Sequence, residues 1–320
     1  MKLPTDKGYF VWQIPRIGSP VEIATQARAI GLSHVFIKIA DGTADYGIVN
    51  GHDQAKELVD ELKKLLIDAW GWQYVYNFSP ILEANKAIQR IRETGVIGFV
   101  INAEGECKNK PAEAHLYCQT LREVMGAYFP IGLSSYRFPS VHPEIPWDIF
   151  RQYCDFDMPQ VYWKDAHNPG AQLIRSLAEF KGMTRNLPYI ATGSAYKSEN
   201  TPWMPSLNEI LEFMTTAKGL GLAFNFWEWY DARVILPREI WDAIAAWEIV
   251  PPEPPQLPDK IRTTAGSLNL RATPMGTILG HVPKGTLFWV INQANDNNGD
   301  KWWKVGEAYL ASWWTEAITT

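Results

Sequence analysis

The stretch GFVINAE, residues 98–104, decides the fold that we predict for this chain. In an extended strand, successive side chains point to opposite faces, so Val100, Asn102 and Glu104 share one face, while Phe99 and Ile101 share the other. If the apolar pair packs on helices, the polar face points into a barrel and Glu104 lies at its rim. The carboxyl ends of barrel strands carry the reactive groups of such proteins, so this stretch predicts both a fold and a site.

Similar short runs of β-branched and aromatic residues alternate with helical stretches on both sides of it. The expected strands are residues 9–14, 35–40, 70–76, 98–103, 131–135, 158–163, 189–192 and 222–229; the expected helices are residues 20–30, 54–66, 82–93, 111–125, 147–153, 171–180, 207–218 and 237–247. Eight such units predict an α/β protein with a (β/α)8 TIM barrel. A doubly wound open sheet is the alternative, but no strand leads into a Gly-x-Gly-x-x-Gly turn. Gly31, Gly95 and Gly221 follow three of the helices, where left-handed C-caps are expected.

The composition favours a folded globular protein and disfavours nucleic-acid-binding, membrane-spanning and metal-binding proteins. The 320 residues are 46% hydrophobic and carry a net charge of -5, which suits a folded core and disfavours nucleic acid as a partner. No stretch is long and apolar enough to predict a membrane span. Cys107, Cys118 and Cys154 show no C-x-x-C spacing, so we expect buried free thiols, no metal site and no cofactor.

A proline-rich segment divides the chain. Residues 250–258 contain five prolines, which favour an extended spacer between a barrel at 1–249 and a small domain at 259–320. In the second part, short strands with Gly and Pro turns predict an all-β barrel that folds independently. It also holds five tryptophans, of which we expect some to remain exposed as a binding surface: Trp289, Trp302, Trp303, Trp313 and Trp314.

The candidate site consists of polar and aromatic residues that follow the apolar runs. The catalytic candidates are Glu104, Asn102, Glu228 and Asp41, and the substrate-binding candidates are Gln13, Tyr74, Tyr136, Arg137, Gln160, Tyr162, Trp227 and Trp229. Carboxylates, amides and aromatics without a histidine cluster favour sugar chemistry over metal chemistry. Strand parity places Trp227 inward as a platform and leaves Glu228 at the rim, with plain core packing as the alternative for the tryptophans. Lys38 and Arg137 either contact an anionic group of the substrate or balance internal carboxylates.

Three motifs carry a resemblance. The segments GLSHVFIKIADG (31–42), NAE (102–104) and WEWY (227–230) resemble strands of glycoside hydrolase family 25 lysozymes, and the last two also resemble family 18 chitinases. The resemblance implies that Glu104 is the general acid. The resemblance implies an aspartate on the first strand, where this chain has Val11-Trp12-Gln13, and another where Asn102 stands. Ordinary two-carboxylate hydrolysis therefore requires that Asp41, Glu106 or Glu228 substitutes.

An alternative mechanism needs no second carboxylate. An N-acetyl group of the substrate can attack its own sugar ring, with Asn102, Gln160 and Tyr162 holding that group. A catalytically silent carbohydrate-binding protein is the competing hypothesis.

The second part resembles a bacterial SH3-like domain over residues 263–318, through SLNLRATP (267–274), PKGT (283–286) and KWWKV (301–305). The two resemblances together imply a lysozyme-like or endolysin-like hydrolase that cleaves peptidoglycan or a related N-acetylated glycan. We expect a monomer. Because no apolar leader is visible at residues 1–8, we expect synthesis in the cytoplasm and action on the cell wall after release.

Overall fold

The computed structural model describes residues 1–247, 258–296 and 300–318. The chain divides into two compact units, Met1–Ile249 and Val250–Thr320. Of the expected linker at 250–258, only Pro258 is among the described residues. No helix in the described ranges is long and apolar enough to span a membrane.

The first unit is built on a parallel sheet. Its described residues form eight main strands: β1 (Lys7–Val11), β2 (His34–Asp41), β3 (Asp68–Val75), β4 (Phe99–Ala103), β5 (Ile131–Ser134), β6 (Phe156–Asp157), β7 (Ala191–Ser194) and β8 (Phe224–Trp227). The sheet order is β7-β8-β1-β2-β3-β4-β5-β6. Isolated parallel bridges join Asp157 to Tyr189 and Gln160 to Thr192, which links the two ends of this order. The sheet therefore curls, and the mixed α/β unit is consistent with a TIM-like barrel.

A helix follows each of these strands along the chain. The helices are α1 (Pro20–Ala29), α2 (Gln54–Lys64), α3 (Pro80–Thr94), α4 (Pro111–Met125), α5 (Trp147–Tyr153), α6 (Pro169–Lys181), α7 (Leu207–Gly219) and α8 (Arg238–Ala246). Short elements lie in the loops: strands Ala44–Asp45, Ile48–Val49 and His52–Asp53, and helical turns Ile14–Ile17, Gly105–Cys107, Pro139–Val141 and Asp231–Ile235. Gly31, Gly95 and Gly221 have φ values of 67°, 73° and 66°, as predicted for left-handed helix ends.

Strand parity separates two apolar clusters. Phe99 and Ile101 of β4 belong to a large cluster with residues of the surrounding helices, such as Ala87 and Leu121. Val100 belongs to a second cluster, made of residues on the strands or next to their ends: Phe10, Phe36, Trp70, Trp72, Val100, Phe156, Met158 and Ile190. The predicted orientation of β4 is therefore confirmed, and the second cluster fills the space beneath the candidate site.

The sixth strand differs from its prediction. We expected residues 158–163, whereas β6 spans Phe156–Asp157. Pro159 has no N–H to donate to a neighbouring strand, so regular pairing ends before it. Gln160 keeps an isolated bridge on each side, to Tyr136 and to Thr192, which still holds it in line with the sheet.

The described residues of the second unit form β-strands and one 3-10 helical turn, Ser312–Trp314. Its strands are β9 (Lys260–Thr263), β10 (Ser267–Arg271), β11 (Ile278–Pro283), β12 (Leu287–Trp289), β13 (Asn292–Asn295), β14 (Lys301–Val305), β15 (Ala308–Ala311) and β16 (Thr315–Ile318). They form one antiparallel sheet in the order β12-β9-β16 and another in the order β11-β10-β15-β14-β13. Ile261, Leu268, Val282, Val305 and Leu310 form a small core.

Candidate functional site

A cavity of about 340 Å³ opens at the carboxyl ends of the parallel strands. Aromatic rings, amides, one amine and one carboxylate line it: Trp12, Lys38, Trp72, Tyr74, Asn102, Glu104, Gln160, Tyr162, Tyr196 and Trp227. Six of the predicted site residues are therefore brought together, namely Glu104, Asn102, Tyr74, Gln160, Tyr162 and Trp227. Among the residues that the structure describes, Glu104 is the sole carboxylate in this lining.

Glu104 is held by two amides. Asn102 Nδ2 donates to Glu104 Oε1 at 3.0 Å, and Gln160 Nε2 donates to the same oxygen at 2.8 Å. Gln160 Nε2 also donates to Asn102 Oδ1 at 2.9 Å, so the three side chains form one network. Oε2 accepts no hydrogen bond from any described residue. One carboxyl oxygen is thus fixed, and the other is available to interact with a ligand.

Aromatic rings surround the amine of Lys38, which lies beside this network. Its Nζ lies 4.5 Å from the Tyr46 ring centroid and 5.0 Å from that of Trp72. It donates to Asp41 Oδ2 at 2.9 Å, and Tyr76 donates its hydroxyl to Asp41 Oδ1 at 3.0 Å. Burial lowers the pKa of Lys38, while Asp41 and the charge of Glu104 act in the opposite direction. Asp41 is absent from the cavity lining, and its pairing with Lys38 supports the charge-balancing interpretation of that lysine.

Two tyrosines bring hydroxyl groups near Glu104. Tyr74 donates to Glu106 Oε2 at 2.5 Å, which ties Glu106 to the edge of the site. Burial, the Tyr196 hydroxyl and the charges of Glu104 and Glu228 raise the pKa of Tyr162 well above its ordinary value. Tyr162 is therefore a neutral O–H donor at neutral pH, as an unperturbed tyrosine is, and remains so at higher pH.

Three predicted binding residues lie around the cavity rather than in its lining. Gln13 accepts a hydrogen bond from Arg16 Nη1 at 3.1 Å and lines a neighbouring groove. Tyr136 stacks on His142 with a centroid separation of 3.7 Å, and the nearby charges of Glu104 and Glu106 add to burial in raising its pKa. Arg137 is partly buried beside the Phe138 ring, and burial lowers its pKa.

The segment after β8 places Glu228 and Trp229 outside the cavity. Trp229 is fully buried between Tyr9 and Trp241, with ring centroids at 5.6 and 5.5 Å, so it belongs to the core. Glu228 is buried too, and its two oxygens accept the backbone N–H groups of Tyr230 and Asp231 at 3.2 and 2.9 Å. Trp229 is therefore removed from the predicted binding residues. Glu228 does not line the cavity. Trp227 does line the cavity, as strand parity predicts.

Three lining residues escaped the sequence analysis: Trp12, Trp72 and Tyr196. Trp72 could have been predicted from the alternation of β3. It lies two residues before Tyr74, so the two side chains share one face of the strand. Trp12 follows Phe10 in the same way. Tyr196 lies beyond β7, where alternation no longer applies.

Glu228 gives a pH-dependent prediction. Burial raises its pKa from 4.5 to about 7. The folded state therefore binds this proton more tightly than the unfolded state, and the contribution of Glu228 to stability falls as pH rises from about 4.5 to 7. Glu228→Gln removes the titration, so the difference in unfolding free energy, variant minus parent, should rise by about 2 to 3 kcal/mol across that window. Denaturant unfolding at both ends of the window measures it, with exposed Glu239→Gln as the control; a pH-independent difference contradicts the assignment.

No family model matches the sequence, and comparison with curated protein sequences gives no match. The fold itself has many neighbours among solved structures, including a cortex-lytic enzyme, a chitinase and a mannanase. The Bacillus cereus spore cortex-lytic enzyme SleL superposes with a TM-score of 0.54 at 9% identity, over 76% of this chain and 74% of that one. The active domain 2 of a thermostable Pyrococcus furiosus chitinase gives 0.54 at 9%, over 71% and 84%. An endo-1,4-β-D-mannanase from Thermotoga petrophila gives 0.53 at 11%, over 70% and 88%. At these identities the likeness establishes the fold alone, an α/β barrel shared with these enzymes.

Proposed function

We propose that this chain is a glycoside hydrolase that cleaves peptidoglycan or a related N-acetylated glycan. The observation that carries the proposal is Glu104, whose Oε1 is fixed by two amides while Oε2 is available within an aromatic-lined cavity. Aromatic rings with a few convergent polar groups suit a sugar, which has apolar ring faces and polar edges. The neighbours named for cortex lysis and chitinase activity support the choice of glycan.

The lone carboxylate favours a substrate-assisted mechanism. Glu104 Oε2 gives its proton to the glycosidic oxygen as that bond breaks, while the acetamido carbonyl oxygen of the substrate attacks the anomeric carbon. The attack of the acetamido oxygen closes a second ring on the sugar. Glu104 then removes a proton from water, which attacks the anomeric carbon and opens this second ring. The anomeric configuration is retained.

The remaining polar atoms suit an acetamido group. Gln160 Oε1 is an acceptor for its N–H, and the neutral Tyr162 hydroxyl is a donor for its carbonyl. Incubation with purified peptidoglycan, and in parallel with chitin, should release new reducing ends, and proton NMR of the first products should show retained configuration. Product of inverted configuration would contradict substrate assistance.

A second candidate function is carbohydrate binding without catalysis. It is favoured by Asn102, which stands where the family resemblance expects an aspartate and instead donates to Glu104. Binding of glycan with no release of reducing ends would select this alternative.

We further propose that the second unit is an SH3-like module that binds the cell wall. Its described residues contain a groove of about 370 Å³ whose lining includes Arg271, Trp302, Trp313 and Trp314. Trp302 is buried and anchored by its Nε1 donating to Asp296 at 3.1 Å, while Trp313 and Trp314 are each 50% exposed. Exposed aromatics around a fixed ring are typical of a binding surface.

Trp313→Ala should weaken sedimentation of the full chain with peptidoglycan sacculi by about fivefold or more, because it removes an aromatic contact from the groove. The assay uses a Glu104→Gln background so that the sacculi are not digested. Trp289→Ala is the matched control, since Trp289 is exposed but absent from the groove lining. Equal weakening by both variants, or by neither, would argue against wall binding in this groove.

A further inference from the structure

A row of aromatic side chains leads out of the cavity. Tyr74, Tyr76 and Phe78 follow one another at every second position from the end of β3 into the loop before α3. The ring centroids of Tyr74 and Tyr76 are 5.0 Å apart, and those of Tyr76 and Phe78 are 5.8 Å apart with an interplanar angle of 23°. Tyr74 lines the cavity, whereas Phe78 is 72% exposed. The row therefore connects the catalytic cavity with the protein surface.

The carboxylate of Glu83 fixes the backbone of the loop that carries Phe78. This glutamate is only 1% exposed, and its Oε2 accepts the backbone N–H groups of Tyr76 and Asn77 at 2.8 and 3.2 Å. Its Oε1 accepts those of Phe78 and Ser79 at 2.9 and 3.1 Å. Four charge-assisted hydrogen bonds to consecutive residues hold the backbone in one conformation. An exposed phenylalanine on such a loop is pre-organised for contact.

Polar groups lie beside the rings of this row. Lys110 Nζ lies 3.9 Å from the Phe78 ring centroid and donates to the Tyr76 carbonyl oxygen at 2.9 Å. The Tyr76 hydroxyl donates to Asp41. Ring faces flanked by hydrogen-bonding groups match a sugar unit better than a purely apolar partner.

We propose that Tyr76 and Phe78 form a binding platform for further sugar units of the glycan, outside the cavity and continuous with it. The inference rests on the proposed function and extends it: the substrate is a long glycan chain, with one part in the cavity and a flanking part along Tyr76 and Phe78. Sugar units on the platform add binding energy that a short oligosaccharide cannot provide. The chain accordingly acts on polymers in preference to short fragments.

The test compares substrate lengths in the full chain. For Phe78→Ala, kcat/KM on a hexamer of N-acetylglucosamine, and on long glycan strands from amidase-treated peptidoglycan, should fall about three- to tenfold. On a trimer or on short strands it should stay unchanged. Tyr128→Ala is the matched control, because Tyr128 is 89% exposed and lies in the loop after α4, before the start of β5. It should leave both values at the parental level.

A Phe78→Ala variant with parental values on both lengths, or with equal loss on both, overturns the platform. Failure of the proposed function gives a different result, namely no cleavage by the parental chain. In that case calorimetry of hexamer and trimer binding makes the same comparison without catalysis. Equal effects of Phe78→Ala on the two affinities then overturn the platform as well.

Discussion

Glu104→Gln is expected to lower kcat for glycan cleavage by about 10²- to 10⁴-fold, because it replaces the proton donor with an amide of the same size. Its folding should be unaffected, since the glutamine carbonyl still accepts hydrogen bonds from Asn102 and Gln160. Release of reducing ends from purified cell walls measures the effect, and thermal unfolding checks the fold. Glu106→Gln is the matched control: Glu106 lies two residues away, accepts the Tyr74 hydroxyl and is absent from the cavity lining.

The control should lose less than tenfold. Digestion by the Glu104→Gln variant at the parental rate would show that Glu104 is not the acid. A larger loss for Glu106→Gln than for Glu104→Gln would move the acid to the neighbouring carboxylate.

Glu83→Gln is expected to lower the free energy of unfolding by about 3 kcal/mol, because its NH₂ group cannot accept the N–H groups now bonded to one carboxylate oxygen. Two of the four backbone donors lose their partner, and the remaining two lose a charged acceptor. Denaturant unfolding measures the change. Glu57→Gln is the matched control, since both glutamates lie in the first turn of a helix and Glu57 is exposed.

The control should change stability by less than about 0.5 kcal/mol. The Glu83→Gln variant should also lose the platform effect, because its loop is no longer fixed. Parental stability of this variant would mean that the loop is held by other contacts.

The sequence was sufficient to predict the elements that orient Glu104. The alternation within residues 98–104 correctly separated Phe99 and Ile101 from Val100 and Asn102, because a strand buried on both faces still has a period of two. Helices α4 and α5 were predicted with the bounds observed, Pro111–Met125 and Trp147–Tyr153, since proline and the apolar spacing mark their ends clearly.

Errors occurred where a strand ends. The pattern of residues 222–229 reads as one long strand, but β8 stops at Trp227 and the chain turns toward the helical turn Asp231–Ile235. Alternation therefore does not extend to Trp229, which packs in the core. Gln13 was likewise assigned to a strand, although it precedes the turn Ile14–Ile17 and bonds to Arg16.

The hydrogen-bond network around Glu104 was beyond sequence reasoning. Gln160 is distant in sequence from Asn102 and Glu104, and its position depends on Pro159 ending β6 and on the isolated bridges beyond it. The fixed loop around Phe78 was missed for a related reason: a glutamate in the first turn of a helix usually indicates an ordinary N-terminal preference. Only its burial reveals that it binds four backbone N–H groups.

The most direct measurement compares one enzyme on two forms of one polymer, N-acetylated peptidoglycan glycan and the same glycan after chemical removal of the acetyl groups. A lone Glu104 assisted by the substrate predicts release of reducing ends from the first form, with at least a hundredfold lower rate on the second. Binding of both forms, measured with the Glu104→Gln variant, ensures that the difference lies in catalysis. Equal cleavage of the two forms would contradict substrate assistance, and cleavage of neither would contradict the assignment of this cavity as a hydrolase active site.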